Sequence, residues 1–382
     1  MIDWKPKACS LADELAELGK LTMPEWRAAV EATPRHEFVP AYYVHEAGRW
    51  QLADTSSPAG RDEWLRRVYS NTVLITALSD GDSGKVVRSS SSQPGLMVRM
   101  LEALDVHDGQ RVLEIGTGTG YNAALLSHRL GADRVFSVDV DEDLVEAARA
   151  RLAAIGHHPT VATVDGAGGL PGHAPFDRII ATCSVPAVPW SWIEQTRPGG
   201  LILTDVKPAV NAGSLVLLRR TDEGAEGRFD RTYAAFMGLR KPGAAYTSIA
   251  RPRDRSNAVE RTTSIAPGML QNLVVWFLAA LDLGAGASSG YTGSDPTQAP
   301  TAAWIATADR SWAEIDLQPD GGTYRVREGG PRSLWRAVET AHDTWLRLEQ
   351  PGWDRFGLTV TRCGQWVWID DPSSPRRWQI PT

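Results

Sequence analysis

The chain has 382 residues, 42% of them hydrophobic and 23% charged, the balance of a soluble globular protein long enough for two domains. Its formal net charge of −6 excludes a global basic field that would draw it to nucleic acid or an acidic membrane, and no run of eighteen apolar residues offers a membrane span. Cys9, Cys183 and Cys363 show no CxxC or Cys/His ligand spacing, and the N-terminus has no apolar signal region, so a disulfide scaffold and a metal site are not expected and a reducing cytoplasm is.

A short helix is expected at 10–19. TMPEWRAAVEA (22–32) reads as a second, capped by Thr22 with Pro24 in its first turn, and Pro40 stops any helix in RHEFVP (35–40). NTVLITAL (71–78) reads as a strand. KVVRSSSSQPGLM (85–97) then sets four serines before a helix over QPGLMVRMLEAL, where one hydroxyl can serve as the cap. From 111 strands and helices alternate. RVLEI (111–115), RVFSVDV (134–140), TVATVD (160–165), FDRIIAT (176–182) and LILTDV (201–206) read as strands. YNAALLSHRL (121–130), DEDLVEAARARLAAIG (141–156) and SWIEQTRPGG (191–200) read as helices, the last closed by proline and glycine. SLVLLRR and RTYAAFMGL add two late strands. This rhythm predicts an open, mostly parallel α/β sheet.

After residue 240 the rhythm changes. A helix is expected at 266–283 and an exposed Gly/Ser/Thr/Pro loop at 283–300. AAWIATAD, SWAEIDL and TYRVREG read as strands, the last two joined at the turn PDGG (319–322). An amphipathic helix at 332–349 and a hairpin at 358–370 around Cys363-Gly364 follow. The division is therefore a catalytic domain at 1–240 and an α+β domain at 241–382.

The chemistry concentrates in LEIGTGTG (113–120). Gly116, Gly118 and Gly120 let the backbone turn sharply against a ligand, with Thr117 and Tyr121 in the same turn. A dinucleotide fingerprint would carry its third glycine at the Tyr121 position, and Glu114 beside a diphosphate would repel it. That carboxylate suits a cationic amino-acid moiety. Asp139, with Val140, ends the next strand, where an acid can hold both ribose hydroxyls; Asp165-Gly166 ends the third, beside an adenine edge. The combination describes S-adenosyl-L-methionine, with S-adenosyl-L-homocysteine as product. The plainer alternative makes the glycines a tight turn and Asp139 a solvated acid; three convergent strand ends favour the cofactor. Asp141 reads as a helix N-cap.

The chain resembles the protein-L-isoaspartate O-methyltransferase family in RHEFVP, SQP (92–94), VLEIGTGTGYNAALL (112–126), VDGAGGLPGHAPFDRII (164–180), RPGG (197–200) and FMGL (236–239), over roughly residues 20–240. The resemblance implies a Rossmann-like class I methyltransferase sheet with helices on both faces, and esterification of a carboxylate by S-adenosylmethionine. In the family motif Thr-Ile-Ser-Gln/Ala-Pro, the serine lies beside the transferred methyl. Ser92 matches it, followed by Gln93-Pro94; Ser90 and Ser91 take the places of the threonine and isoleucine. Ser92, Ser91 and Ser90 are thus expected catalytic residues and Gln93 a cofactor contact.

Two departures stand out: the longer stretch 51–88, and the region from 241 on, which compact repair enzymes lack. They resemble extended bacterial relatives, associated with ATP-grasp ligases of graspetide pathways, that methylate an aspartate in a cyclised, ribosomally made peptide. There the ester collapses to an aspartimide, and the partner is the enzymatically cyclised precursor. YSNTVLI and VTRCGQWVWIDDP are the stretches associated with that subgroup. The alternatives are repair of isoaspartyl (D-aspartate) residues, methylation of a small molecule, or a non-catalytic peptide-binding protein. Nine of the fifteen tryptophans follow residue 240, which suits a small core needing large residues, with some free to line a peptide groove. Arg325, Arg327 and Arg332 are candidates to meet acidic precursor residues. Deleting 241–382 is expected to abolish peptide methylation and spare cofactor affinity.

Overall fold

Strands between residues 112 and 218 send alternate side chains to opposite faces, and each face carries its own hydrophobic cluster. Leu113, Ile115, Ile179, Ala181, Ile202 and Val206 join one. Val112, Ile180, Leu201, Leu203 and Leu215 join the other. The computed structural model describes residues 2–56, 58–81, 84–243, 258–292 and 299–381.

Three short helices open the chain: α1 (Lys5–Glu17), α2 (Pro24–Ala32) and α3 (Arg35–Phe38). A four-stranded antiparallel sheet follows, of β1 (Tyr42–Glu46), β2 (Arg49–Ala53), β3 (Leu74–Gly81) and β4 (Gly84–Ser91), in the order β2-β1-β3-β4, with α4 (Pro58–Val68) between β2 and β3. After α5 (Pro94–Ala103) come β5 (Val112–Ile115), α6 (Tyr121–Leu130), β6 (Val135–Asp139), α7 (Glu142–Ala154) and β7 (Thr160–Thr163). Next are β8 (Phe176–Val185), α8 (Trp190–Gln195), β9 (Thr196–Ala209), β10 (Ala212–Arg220) and β11 (Gly224–Phe229). The later elements are β12 (Val259–Thr263), α9 (Leu273–Leu283), β13 (Ser288–Tyr291), β14 (Ala302–Ala306), β15 (Trp312–Asp316) and β16 (Tyr324–Gly329). The chain closes with α10 (Leu334–Arg347), β17 (Phe356–Thr361), β18 (Gly364–Ile369) and β19 (Arg377–Gln379).

The central sheet has ten strands in the order β19-β18-β17-β11-β10-β9-β8-β5-β6-β7. Only β9, β8, β5, β6 and β7 run parallel; the pairings from β9 outward to β19 are antiparallel. The mostly parallel sheet expected from the sequence is thus the inner half of a mixed one. Strand β11, not expected from the sequence, joins the halves by pairing Gly224 with Thr361 through to Arg228 with Gly357. The division at residue 240 therefore does not separate two cores. Residues 356–379 extend the catalytic sheet, and α9, with Trp276 and Phe277 fully buried, belongs to the same hydrophobic cluster as β8, β9 and β10. Helix α10 packs on α9 and on the five-stranded sheet β12-β16-β15-β14-β13.

Several local expectations change. The helix at 191–200 stops at Gln195, because Thr196–Gly200 already belong to β9. RTYAAFMGL is not a strand; it meets the sheet at one bridge, Ser184 to Gly238, and otherwise follows the cavity wall. Thr22 does not cap α2. Instead the Glu102 carboxylate of α5 accepts from the Thr22 and Met23 N–H groups at 2.7 and 2.8 Å. The stretch 283–300 contains β13, and its residues 293–298 lie outside the described residues. Trp335 is fully buried and Trp345 packs against the same cluster, as a core stripe requires. Arg325, Arg327 and Arg332 are already paired with Asp316, with Glu314 and Asp316, and with Asp309, so they are not free cations. Among the described residues no helix is long and apolar enough to cross a membrane.

Candidate cofactor and substrate cavity

A cavity of about 950 Å³ opens at the carboxyl ends of β5 and β6, where an open α/β sheet places its ligands. The glycine turn forms its floor. Gly116, at φ +99°, has no room for a side chain, since a Cβ would sit 2.9 Å from Thr182 Oγ1. Gly118 lines the cavity and donates its N–H to Asp139 Oδ2 at 3.0 Å. Gly120, expected to meet the cofactor, does not line the cavity; it caps α6 in the left-handed region, and a Cβ there would lie 3.1 Å from Ala148 Cβ of α7. Its role is helix approach.

Glu114, Thr117, Tyr121, Asp139, Val140, Gly166 and Gln93 all line the cavity. Asp165 does not. Its carboxylate turns back to accept from Ala167 N–H at 2.9 Å, capping the short turn that follows β7. Glu114 is 1% exposed and accepts from Asn122 Nδ2 at 2.8 Å and Ser137 Oγ at 2.6 Å. Burial nevertheless pushes its carboxyl up from 4.5 to about 7. A raised folded-state value means that the native chain holds this proton more tightly. The contribution to stability is full below about 4.5 and is lost as pH rises through about 7. Glu114→Gln is expected to flatten that slope for the ligand-free protein, measured as thermal midpoint between pH 4.5 and 8; an unchanged slope would assign it elsewhere.

Asp139 is held from both sides: Oδ2 by Gly118, and Oδ1 by Asp141 N–H at 3.2 Å, with Arg240 Nη2 at 3.4 Å. Asp141 caps α7, as expected, accepting from Leu144 N–H. It also accepts from Arg88 Nε of β4 at 2.6 Å and Arg240 Nη1 at 3.2 Å. The Arg88 hydrogen bond, ahead of the opposing effect of burial, pushes its carboxyl down to about 2.

The serine run does not cap α5. Ser89, Ser90 and Ser91 are the end of β4, with Ser91 opposite Leu74 and Ser90 opposite Ile75, and Ser92 follows directly. The cap position of α5 belongs to Gln93, which makes no side-chain cap bond; Asn71 Oδ1 accepts the Gly95 N–H instead, at 2.9 Å. Ser90, Ser91 and Ser92 all line the cavity. Ser91 Oγ accepts from Arg35, whereas no hydrogen bond is made by the Ser92 hydroxyl among the described residues.

Sequence reasoning used RHEFVP only as a family mark and missed Arg35 as a working residue. Its guanidinium is fully buried on α3. Nη1 donates to Val68 O at 2.7 Å and Ser70 O at 3.1 Å. Nη2 donates to Thr72 O at 3.3 Å, Ser91 Oγ at 3.3 Å and Ser92 O at 3.1 Å. These acceptors are neutral, and burial pulls the guanidinium down to about 10. One side chain thus ties the segment before β3 to the serines at the end of β4. The available signal was an arginine in a turn whose neighbours, His36, Phe38 and Val39, are mostly the kind that bury.

The far wall is the irregular segment 232–240. Ser184 N–H donates to Met237 O at 2.8 Å and Leu239 N–H to Ser184 O at 2.7 Å. Beneath it lies a buried pair, Lys207 Nζ to Asp205 Oδ2 at 2.7 Å, with Phe236 N–H donating to the same oxygen at 3.3 Å. Burial pushes Asp205 up to about 6, and Lys207 opposes that rise.

A family model described as Protein-L-isoaspartate(D-aspartate) O-methyltransferase (PCMT) matches residues 7–240. Protein-L-isoaspartate O-methyltransferase 2 of Archaeoglobus fulgidus is 31% identical over 241 residues, 63% of this chain and 95% of its own. The Methylorubrum populi protein-L-isoaspartate O-methyltransferase is 41% identical over 169 residues, 44% of this chain and 79% of its own. Among solved structures, a protein-L-isoaspartate O-methyltransferase at 22% identity covers 95% of this chain and 99% of its own with TM-score 0.55. Its fold therefore matches this chain well beyond residue 240, so the C-terminal region does not by itself set the chain apart. A Plasmodium falciparum structure of the same enzyme class, in complex with S-adenosyl-L-homocysteine, covers 61% of this chain and 97% of its own with TM-score 0.46 and 14% identity.

Proposed function

Because the chain belongs to the protein-L-isoaspartate(D-aspartate) O-methyltransferase family, whose members are S-adenosylmethionine-dependent carboxyl O-methyltransferases, we propose that it esterifies an isoaspartyl carboxylate in a peptide or protein. The observation that carries this reading is one cavity lined by both the glycine turn and Ser92, whose hydroxyl has no hydrogen-bond partner among the described residues. The residues fit the cofactor. Gly116 and Gly118 allow close backbone approach, Glu114 is a buried carboxyl that an ammonium would hold in its ionised form, and Asp139 with Val140 stands where a ribose would belong. Arg240 would release Asp139 as the ribose hydroxyls take its place. When bound, the cofactor supplies a methyl on a sulfonium.

The protein's part is to bind and align. A carboxylate with a pKa near ~3.9 is ionised at pH 7, so no general base is needed. Ser92 would donate to one carboxylate oxygen of the substrate and leave the other free to attack. Charge is lost as anion and cation become neutral, so a site that excludes water favours the step. Alignment of this kind supplies roughly 7–11 kcal/mol in well-placed intramolecular reactions. Ser92→Ala is expected to lower kcat on the order of 100-fold with cofactor affinity unchanged, measured by methyl transfer and by titration of the cofactor product. Native turnover by that variant would remove Ser92 from the mechanism.

A second reading keeps the chemistry and changes the substrate to a normal aspartate of a cyclised, ribosomally made peptide, whose ester then closes to an aspartimide. Residues 51–88 are where the two readings differ, because they include β3 and most of β4, the strand whose end lines the cavity. Mass spectrometry decides between the two. An isoaspartyl peptide that gains a methyl supports the first; a cyclised precursor that gains a methyl and then loses methanol supports the second.

A further inference from the structure

Ser92 divides the cavity. Strand β4 runs along its wall from Arg88, which is tied to Asp141 at the cofactor end, to Ser92, where α5 begins. The acids in the lining, Glu114 and Asp139, both lie at the cofactor end. Beyond Ser92 the wall is built from Leu18 to Lys20, from Thr72 and Val73, and from the face of α5 that carries Gly95 and Arg99.

That end holds two cations, Lys20 and Arg99, and of these Arg99 alone is ion-paired among the described residues. Lys20 makes no ion pair among the described residues. Its stem lies across the first turn of α5, three residues past Ser92, in space that glycine leaves open: a Cβ at Gly95 would sit 2.6 Å from Lys20 Cδ and 2.9 Å from Asn71 Oδ1. Arg99 lies four residues further along, on the same helical face and about 6 Å up the axis. Asp230 accepts from its Nη1 at 2.6 Å, while its Nη2 is buried with no acceptor. Leu18 and Val73, which are 54% and 50% exposed, flank this end and offer apolar surface to a peptide backbone. A lysine left unpaired and backed by an under-satisfied arginine selects an anion.

We propose that Lys20, with Arg99 behind it, is a subsite for a second carboxylate of the substrate peptide, distinct from the one that Ser92 orients. The ligand class is an acidic peptide in which the methylated residue has an anionic neighbour, either a flanking Asp or Glu side chain or the α-carboxylate of a nearby C-terminus. This rests on the peptide-carboxylate reading above.

The test uses the full-length protein and three isoaspartyl peptides: one with a flanking aspartate and an amidated C-terminus, one with asparagine there and a free C-terminus next to it, and one with neither anion. The wild type is expected to show a KM about tenfold lower for one of the first two than for the third, which also identifies the source of the carboxylate. Lys20→Met should erase that advantage, leave the KM of the third peptide and the cofactor affinity in place, and be rescued by Lys20→Arg. Equal KM values for all three peptides with the wild type, or an equal loss for all three with Lys20→Met, overturns the subsite. If no peptide is methylated although the cofactor binds, the proposed reaction fails. Peptide binding by calorimetry with the wild type and Lys20→Met then still decides the subsite, by whether the preference depends on Lys20.

Discussion

Ending the chain at residue 240 will abolish cofactor binding together with peptide methylation. This reverses the outcome expected when 241–382 is read as a separate recognition module. The truncation strips β17 from β11, leaving an unpaired edge at the centre of the former sheet. It also removes Trp276, Phe277, Phe356, Leu358 and Val360, all buried in the cluster that covers β8, β9 and β10. Each such side chain contributes about 1.5–3 kcal/mol on burial, so the combined loss reaches the whole stability of an ordinary domain, about 5–15 kcal/mol. The expected product is aggregated or lacks a cooperative thermal transition, and calorimetric titration with S-adenosyl-L-homocysteine registers no binding. A monomeric truncated protein with native affinity would show that the inner strands hold their shape alone.

Arg35→Met will cost about 3–5 kcal/mol of stability and lower methyl transfer on the order of 100-fold. Methionine fills much of the same space but leaves Val68 O, Ser70 O, Thr72 O and Ser92 O without this donor. Those carbonyls belong to the two segments that set the position of the Ser92 hydroxyl. The kinetic signature separates positioning from general unfolding: at a temperature where the variant is folded, kcat falls while cofactor affinity stays within a few-fold of native. Arg35→Lys keeps the charge without the planar fork and should recover only part of the rate. A folded Arg35→Met variant with native kcat would leave Arg35 a purely structural residue.

The inner fold was legible because its signals are local. Short apolar runs separated by amphipathic helices define β5 to β10, and the glycines of LEIGTGTG mark a turn that few other residues permit. Asp139 could be placed because strand ends in a parallel sheet converge without knowledge of any contact. The four serines were read as standing before a helix with one hydroxyl as its cap, whereas pairing with β3 makes Ser89 to Ser91 the end of a strand, and strand pairing is set by a distant partner.

The sequence by itself determined the class of sheet, the cofactor turn and the candidate hydroxyl, since each depends on residue type within a few positions. The tertiary structure alone decided that Gly120 serves helix packing, that Arg35 holds the serines and that strands from residues 356–379 complete the catalytic sheet. Those outcomes depend on which side chains meet across tens to more than a hundred residues of chain. Burial, unmet hydrogen-bonding groups and exposed strand edges select such meetings, and no local pattern encodes them.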